Sequence, residues 1–146
     1  MDCLIHIDGG ARGNPGPAAA GVTITTPDGS EPLYEAGFWL GTSTNNEAEY
    51  QGLLHALKAA AHIGCMNLTI RSDSELMVKQ VLGKYRVKAP NLKPLYQEAV
   101  RLLAGFEKWE IGHVRREGNK RADQLANLAM DARADVIAFD TLADES

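Results

Sequence analysis

The chain has 146 residues, 45% hydrophobic, 23% charged and 6% aromatic, with a formal net charge of −4. It suits one domain with a real core, and excludes a disordered chain, a disulfide-stapled miniprotein and, lacking about 18 consecutive apolar residues, a membrane span. Two cysteines, Cys3 and Cys65, imply no disulfide framework and fit a reducing, cytoplasmic compartment. Asp2 and Asp8 interrupt the amino-terminal stretch, so no signal peptide is expected. The net charge argues against a polyanionic partner, but its distribution does not. From Lys79 to Arg121, eleven Lys or Arg stand against four acids; from Asp131 onward, five acids stand against Arg133 alone. The first run is either a solvated face or a surface for phosphates, and the second is an acidic tail.

In chain order, Leu4-Ile5-His6-Ile7 predicts a buried strand ended by Asp8 and followed by a Gly/Pro loop from Gly9 to Pro17. The stretches 21–26 and 33–40, separated by Pro27-Asp28-Gly29, predict a hairpin. Thr44-Asn45-Asn46-Glu47 opens a helix that runs to Gly64, a C-cap glycine. A strand at 67–72 stops at Asp73, and a short helix follows over 74–82. A helix at 92–103, a strand at 109–114 and a helix at 120–133 complete the pattern. The order β-β-β-α-β-α-α-β-α predicts an α/β fold in which helices cover a mixed sheet. No repeat or linker is visible, so 1–133 reads as one domain and 134–146 as an acidic tail. Its Val136-Ile137-Ala138-Phe139 stretch is apolar enough to dock. His6, Trp39, Phe106 and Trp109 are expected in the core, and His55 and His62 lack ligand spacing.

The carboxylates carry the chemistry. Asp8 and Asp73 each close a strand, and neighbouring parallel strands would bring them close enough to need a proton or a metal cation between them. A single Asp in such a place is an ordinary turn residue; two at one sheet end are less so. Glu49 shares a helix face with Leu53, Ala56, Leu57 and Ala60, the stripe expected to face the sheet, where a carboxylate needs a partner. Glu47, about 200° earlier on the helix, reads instead as a solvated acid near the helix dipole. Asp123 lies in the first turn of the last helix, where the dipole favours it, and with the other three makes a fourth candidate ligand. Four carboxylates suit Mg²⁺ or Mn²⁺. No Cys/His cluster offers a zinc site, and the glycine loop lacks the lysine motif of a nucleotide P-loop.

Asp8-Gly9-Gly10-Ala11-Arg12-Gly13-Asn14-Pro15-Gly16-Pro17, Thr44-Asn45-Asn46-Glu47-Ala48-Glu49, Ser72-Asp73-Ser74 and Asn119-Lys120-Arg121-Ala122-Asp123 together strongly resemble type 1 ribonuclease H. The resemblance runs from about Asp2 to Ala132. It implies a five-stranded mixed sheet, three antiparallel strands first and then parallel additions, with helices on both faces. It also implies endonucleolytic hydrolysis of the RNA strand of RNA–DNA hybrids, leaving 5′-phosphate and 3′-hydroxyl ends, with two Mg²⁺ or Mn²⁺ ions per site. The partner is then the hybrid, with no membrane and no obligatory protein partner, in a monomer. By motif, Asp8, Glu49, Asp73 and Asp123 correspond to the catalytic metal ligands, with Asp8 bridging. Gly10, Ala11, Asn14, Asn45, Asn46 and Ser74 correspond to substrate contacts at minor-groove edges and 2′-hydroxyls, which distinguish RNA from DNA.

Two departures stand out. Many family members carry a histidine in the loop before the last aspartate; 114–119 contains none, and Arg116 or Glu117 is the candidate replacement. Long members insert a basic handle between the middle helices. Here the connection is short, with Lys84, Arg86 and Lys88 as candidate contacts to backbone phosphates. The alternatives are a superfamily nuclease with another substrate, against which the asparagines argue, and a noncatalytic nucleic-acid-binding domain. A surface for polyanions has no use for four clustered carboxylates, which argues against the second.

Overall fold

A computed structural model describes residues 1–143. β1 (Asp2–Ala11), β2 (Gly16–Thr25) and β3 (Pro32–Ser43) form an antiparallel meander, and α1 (Asn45–Ile63) crosses back to β4 (Asn67–Ser72). Then come α2 (Glu75–Val81), α3 (Lys93–Leu103), β5 (Lys108–His113), α4 (Lys120–Ala132) and β6 (Val136–Asp140). The strand order is β5-β4-β1-β2-β3-β6, with β4 and β5 added parallel to β1. This is the expected mixed α/β sheet with one strand more. The additional strand is the 136–139 stretch, which pairs antiparallel with β3 from Gly37↔Val136 to Tyr34↔Asp140. Asp135 reinforces the join by accepting a hydrogen bond from the Trp39 backbone N–H at 2.9 Å. Asp144 and Glu145 lie outside the described residues.

The core is lopsided. Between the sheet and α1 lie large apolar side chains, Ile5, Ile7, Ile24, Leu53 and Leu57 among them, all essentially buried. On the other face α4 meets a thinner layer, in which Ala19, Ala129 and Met130 cluster with Trp39. Small residues there let α4 lie almost on the strand backbones. The structure puts a Cβ built on Gly21 only 1.8 Å from the Ala122 carbonyl oxygen, so any side chain at that position would lift α4 away.

Three sequence expectations are corrected. Asp8 does not end its strand: β4 stops pairing at Ile7↔Ser72, but the hairpin with β2 carries β1 on to Ala11↔Ala18. Trp109 is 36% exposed, because β5 is the sheet's outer strand and covers neither face fully. Cys3 and Cys65 form a disulfide. They are 62 residues apart in sequence, but the parallel pairing of β1 with β4 returns the chain after α1 to the start of β1, with the two Cα atoms 6.0 Å apart.

Candidate active site

Two close approaches build the site around Asp8. Asp8 is register partner of Gly21, the residue on which α4 rests, so alternation along the strand turns Asp8 toward that helix. The next residue, Gly9, turns to the opposite face. A Cβ on Gly9 would lie 2.4 Å from the Ala48 carbonyl oxygen and 2.7 Å from the Glu49 backbone nitrogen. Glycine at both positions therefore seats α1 and α4 on either side of one carboxylate. Asp73 follows directly where β4 leaves its pairing with β1. The result is an open groove of about 600 Å³ lined by Asp8, Glu49, Asp73 and Asp123.

The electrostatics follow from that crowding. Asp8 is pushed up to about 8, first by burial, then by the charge of Asp73 and by hydrogen-bonding contact with Asp123. Glu49 is also raised, mainly by burial and further by Asp73, while a hydrogen bond with Ser74 opposes the shift. Among the described residues, no three acidic, histidine or cysteine side chains are drawn in tightly enough to enclose an ion as they stand. Their chemistry nevertheless fits a hard divalent cation. Every donor is a carboxylate oxygen, and an added positive charge offsets both the burial and the like-charge repulsion that push Asp8 up.

A set of polar bonds fixes the groove's walls. Thr44 caps α1 in a capping box with Glu47: the Glu47 N–H donates to Thr44 Oγ1 at 3.1 Å, and the Thr44 N–H donates to Glu47 Oε1 at 2.9 Å. Glu47 is thus the capping acid, held below its usual range by Thr44. Asn45 Oδ1 accepts from the Ala11 N–H at 2.8 Å, and the Asn45 N–H donates to Asn14 Oδ1 at 3.1 Å. These bonds lock the β1–β2 turn onto the start of α1. Ser74 caps α2 by accepting from the Met77 N–H at 3.2 Å.

Gly10, Ala11, Asn45, Asn46 and Arg116 line the same groove as the four carboxylates. Asn14 borders it through Asn45, and Glu117 sits exposed with Arg116 in the 3-10 turn Arg116–Gly118. Lys84 and Arg86 line a separate hollow between the end of α2 and α3, and Lys88 is exposed beside it. Sequence reasoning missed Asn119, although it stands in the quoted motif four residues before Asp123. It is 2% exposed and donates from Nδ2 to the Ile7 carbonyl at 2.8 Å, next to Asp8. Its backbone oxygen accepts from the Asp123 N–H at 3.1 Å, and its Oδ1 is buried without a partner among the described residues. One residue thereby ties β1 to α4. Arg12 and Asn127, also in the groove, carried no sequence signal of their own.

Residues 6–129 match the family described as "Reverse transcriptase-like". A curated relative, "Ribonuclease HI" of Halobacterium salinarum, is 45% identical over 126 residues, covering 86% of this chain and 63% of the relative. The crystal structure of RNase H1 from that archaeon superposes with a TM-score of 0.87 at 43% identity, covering 90% of this chain and 99% of that one. The chain belongs to the ribonuclease H family. LC11-RNase H1, solved in complex with an RNA/DNA hybrid, is a further match of the ribonuclease H type, with a TM-score of 0.85 at 40% identity over 90% of this chain and 98% of that one. The "Bifunctional protein Rv2228c" of Mycobacterium tuberculosis is 43% identical over 140 residues, but this chain spans only 38% of its length and 96% of its own. The curated relatives first matched are therefore longer than this chain.

Proposed function

We infer that this chain is an endoribonuclease that hydrolyses the RNA strand of RNA–DNA hybrids, leaving 5′-phosphate and 3′-hydroxyl ends. The observation that carries the reading is the convergence of Asp8, Glu49, Asp73 and Asp123 on one groove, with Asp8 pushed up first by burial and then by its acidic neighbours. Such a cluster repels a polyanion unless cations intervene, and oxygen ligands suit Mg²⁺ or Mn²⁺. Two such ions, when bound, supply an activated water and neutralise charge at the leaving 3′-oxygen. Asp8, in contact with both Asp73 and Asp123, would be the carboxylate common to both ions. Glu49, Asp73 and Asp123 complete them.

The remaining residues hold and sort the substrate. Backbone groups at Gly10 and Ala11, the amides of Asn14, Asn45 and Asn46, and Ser74 read the minor groove and the 2′-hydroxyls. Their mutual hydrogen bonds preorganise them before the hybrid arrives. Arg116 lines the groove where other members place a histidine, and assists proton movement or product release, with Glu117 beside it. Lys84, Arg86 and Lys88 contact backbone phosphates away from the cleavage point. Residues 1–133 form the catalytic unit, which works as a monomer without an obligatory protein partner, and 134–146 form an acidic tail, of which Val136–Asp140 pairs with β3. No described helix is long and apolar enough to cross a membrane. A cytoplasmic site of action completes the proposal; there the near-complete burial of Cys3 and Cys65 shields their bond from attacking thiolates.

The test is cleavage of an end-labelled RNA–DNA hybrid with and without Mg²⁺ or Mn²⁺, beside duplex RNA, duplex DNA and the Asp8→Asn variant. Metal-dependent cuts confined to the RNA strand, lost in Asp8→Asn by at least about 10³-fold, are expected. A wild-type protein that leaves the hybrid intact in both metals refutes the reading.

A further inference from the structure

Arg12 leaves the β1–β2 turn from a fixed point. Its N–H donates to the Pro17 carbonyl at 2.8 Å, and Gly16 packs so closely that a Cβ there would lie 2.2 Å from the Arg12 carbonyl oxygen. From this anchor the side chain crosses to α4, where Nη2 lies 2.7 Å from Asp131 Oδ1 and 3.4 Å from Asn127 Oδ1. Asn127 is itself fastened, its Nδ2 donating to the Asp123 carbonyl at 3.1 Å. Asp123, Asn127 and Asp131 are spaced four apart on one face of α4. That face leads about 12 Å along the helix, away from the catalytic carboxylates. Arg12 and Asn127 both line the candidate active-site groove.

The Arg12–Asp131 pair is 52% and 65% exposed, and an ion pair that wet contributes little to stability. Its placement suits another task. A phosphodiester offers a guanidinium two acceptor oxygens in a geometry the planar fork matches, and a nucleic-acid strand adds the field of its neighbouring phosphates, which a lone solvated carboxylate lacks. We propose that Arg12 is a backbone-phosphate contact for the bound nucleic acid and that Asp131 is its resident counter-ion, displaced when the strand enters the groove. Asn127 keeps the guanidinium at the groove wall through the exchange. Asp131 thus lowers affinity for non-productive polyanions by competing for the same cation. The inference rests on the hybrid-cleaving reading above and extends the substrate path along α4.

Binding of a fluorescein-labelled RNA–DNA hybrid, measured with Ca²⁺ replacing the catalytic metal, tests it in wild type, Arg12→Ala, Asp131→Asn and the double variant. Arg12→Ala is expected to raise Kd about fivefold, to flatten the slope of log affinity against log salt by about 0.9 and, in a separate cleavage assay in Mg²⁺, to raise KM more than it lowers kcat. Asp131→Asn is expected to lower Kd about two- to threefold at low salt, a gain absent when Arg12 is already Ala. Arg12→Ala with wild-type Kd and salt slope overturns the proposal. So does Asp131→Asn weakening binding as Arg12→Ala does, which makes Asp131 an orienting partner. A gain from Asp131→Asn that persists in the Arg12→Ala background also overturns it, being only the loss of a negative charge. Wild-type cleavage of the hybrid in Mg²⁺, run in parallel, separates the two failures. If wild type cleaves and Arg12→Ala is unaffected, only this inference falls; if wild type does not cleave, the function itself is wrong.

Discussion

At its amino end β1 carries Cys3, 2% exposed and bonded to Cys65, which follows α1 and is 1% exposed. Further along, where β4 leaves it, the same strand carries Asp8, facing Asp73 and Asp123, while Glu49 stands near the start of the same α1. Both elements thus run from a covalently sealed, apolar end to an open end where carboxylates crowd. The closed end can hold the strand–helix pair together without help from the groove. That leaves the other end able to keep unfavourable charge until a cation arrives. The difference teaches where stability and function are separable in this fold, and it sets three tests.

The largest effect lies at the sealed end. A cross-link between residues 62 apart restricts the unfolded chain, which the chain-entropy relation values at about 4 kcal/mol. Cys3→Ala with Cys65→Ala, or reduction of the wild type, should lower the unfolding free energy by about that amount in urea titrations. Hybrid cleavage below the unfolding transition should stay within about twofold. A loss of turnover that tracked the loss of stability would show that the two ends are coupled.

The second effect has the opposite sign. Asp8 is raised from 3.8 to about 8, so the folded protein binds this proton far more tightly than the unfolded chain. Its contribution to stability is therefore fully present below about pH 4 and is lost as pH rises toward 8. Asp8→Asn removes the charge and is expected to abolish cleavage, yet the metal-free variant should melt about 3–6 °C higher than wild type at pH 8 and no higher near pH 4. Mg²⁺ should close the gap by raising the wild-type melting temperature while leaving Asp8→Asn nearly unmoved. An Asp8→Asn protein that melts at or below wild type at pH 8 would mean that the open end stores no electrostatic stress.

Local patterns carried most of this architecture. The strand at 67–72 and the helix boundaries at Asn45 and Lys120 follow from capping, turn and periodicity signals that act over a few residues. Glu49 was legible because a carboxylate on an apolar stripe contradicts its own helix face. What stayed hidden depended on pairing between distant segments. The extension of β1 through Ala11 exists because β2 folds back on it, and no residue in 9–11 carries strand character alone. The disulfide needed the parallel β1–β4 register, and the exposure of Trp109 needed the knowledge that β5 is outermost. Arg12 reads as a turn residue until α4 is laid across the meander, which the glycines at 21 and 37 permit.

The third and smallest stability effect concerns what closes the open end. Where the far end of β1 has a disulfide, this end has side-chain hydrogen bonds, and the one nearest Asp8 runs from Asn119 Nδ2 to the Ile7 carbonyl. Asn119→Ala deletes it, a loss of about 1 kcal/mol, but also removes a buried Oδ1 that has no partner among the described residues. These two changes oppose each other, so the metal-free protein should lose less than about 1 kcal/mol. Catalysis should not be spared in proportion. Asn119 joins the strand beside Asp8 to the turn that presents Asp123, and displacements of an ångström in such a site cost up to about 10²-fold in rate. A kcat lowered ten- to a hundredfold with unfolding nearly unchanged is the expected split. Equal, small changes in both would make Asn119 a spacer, and the two carboxylates would then be held by the close approaches at Gly9 and Gly21 alone.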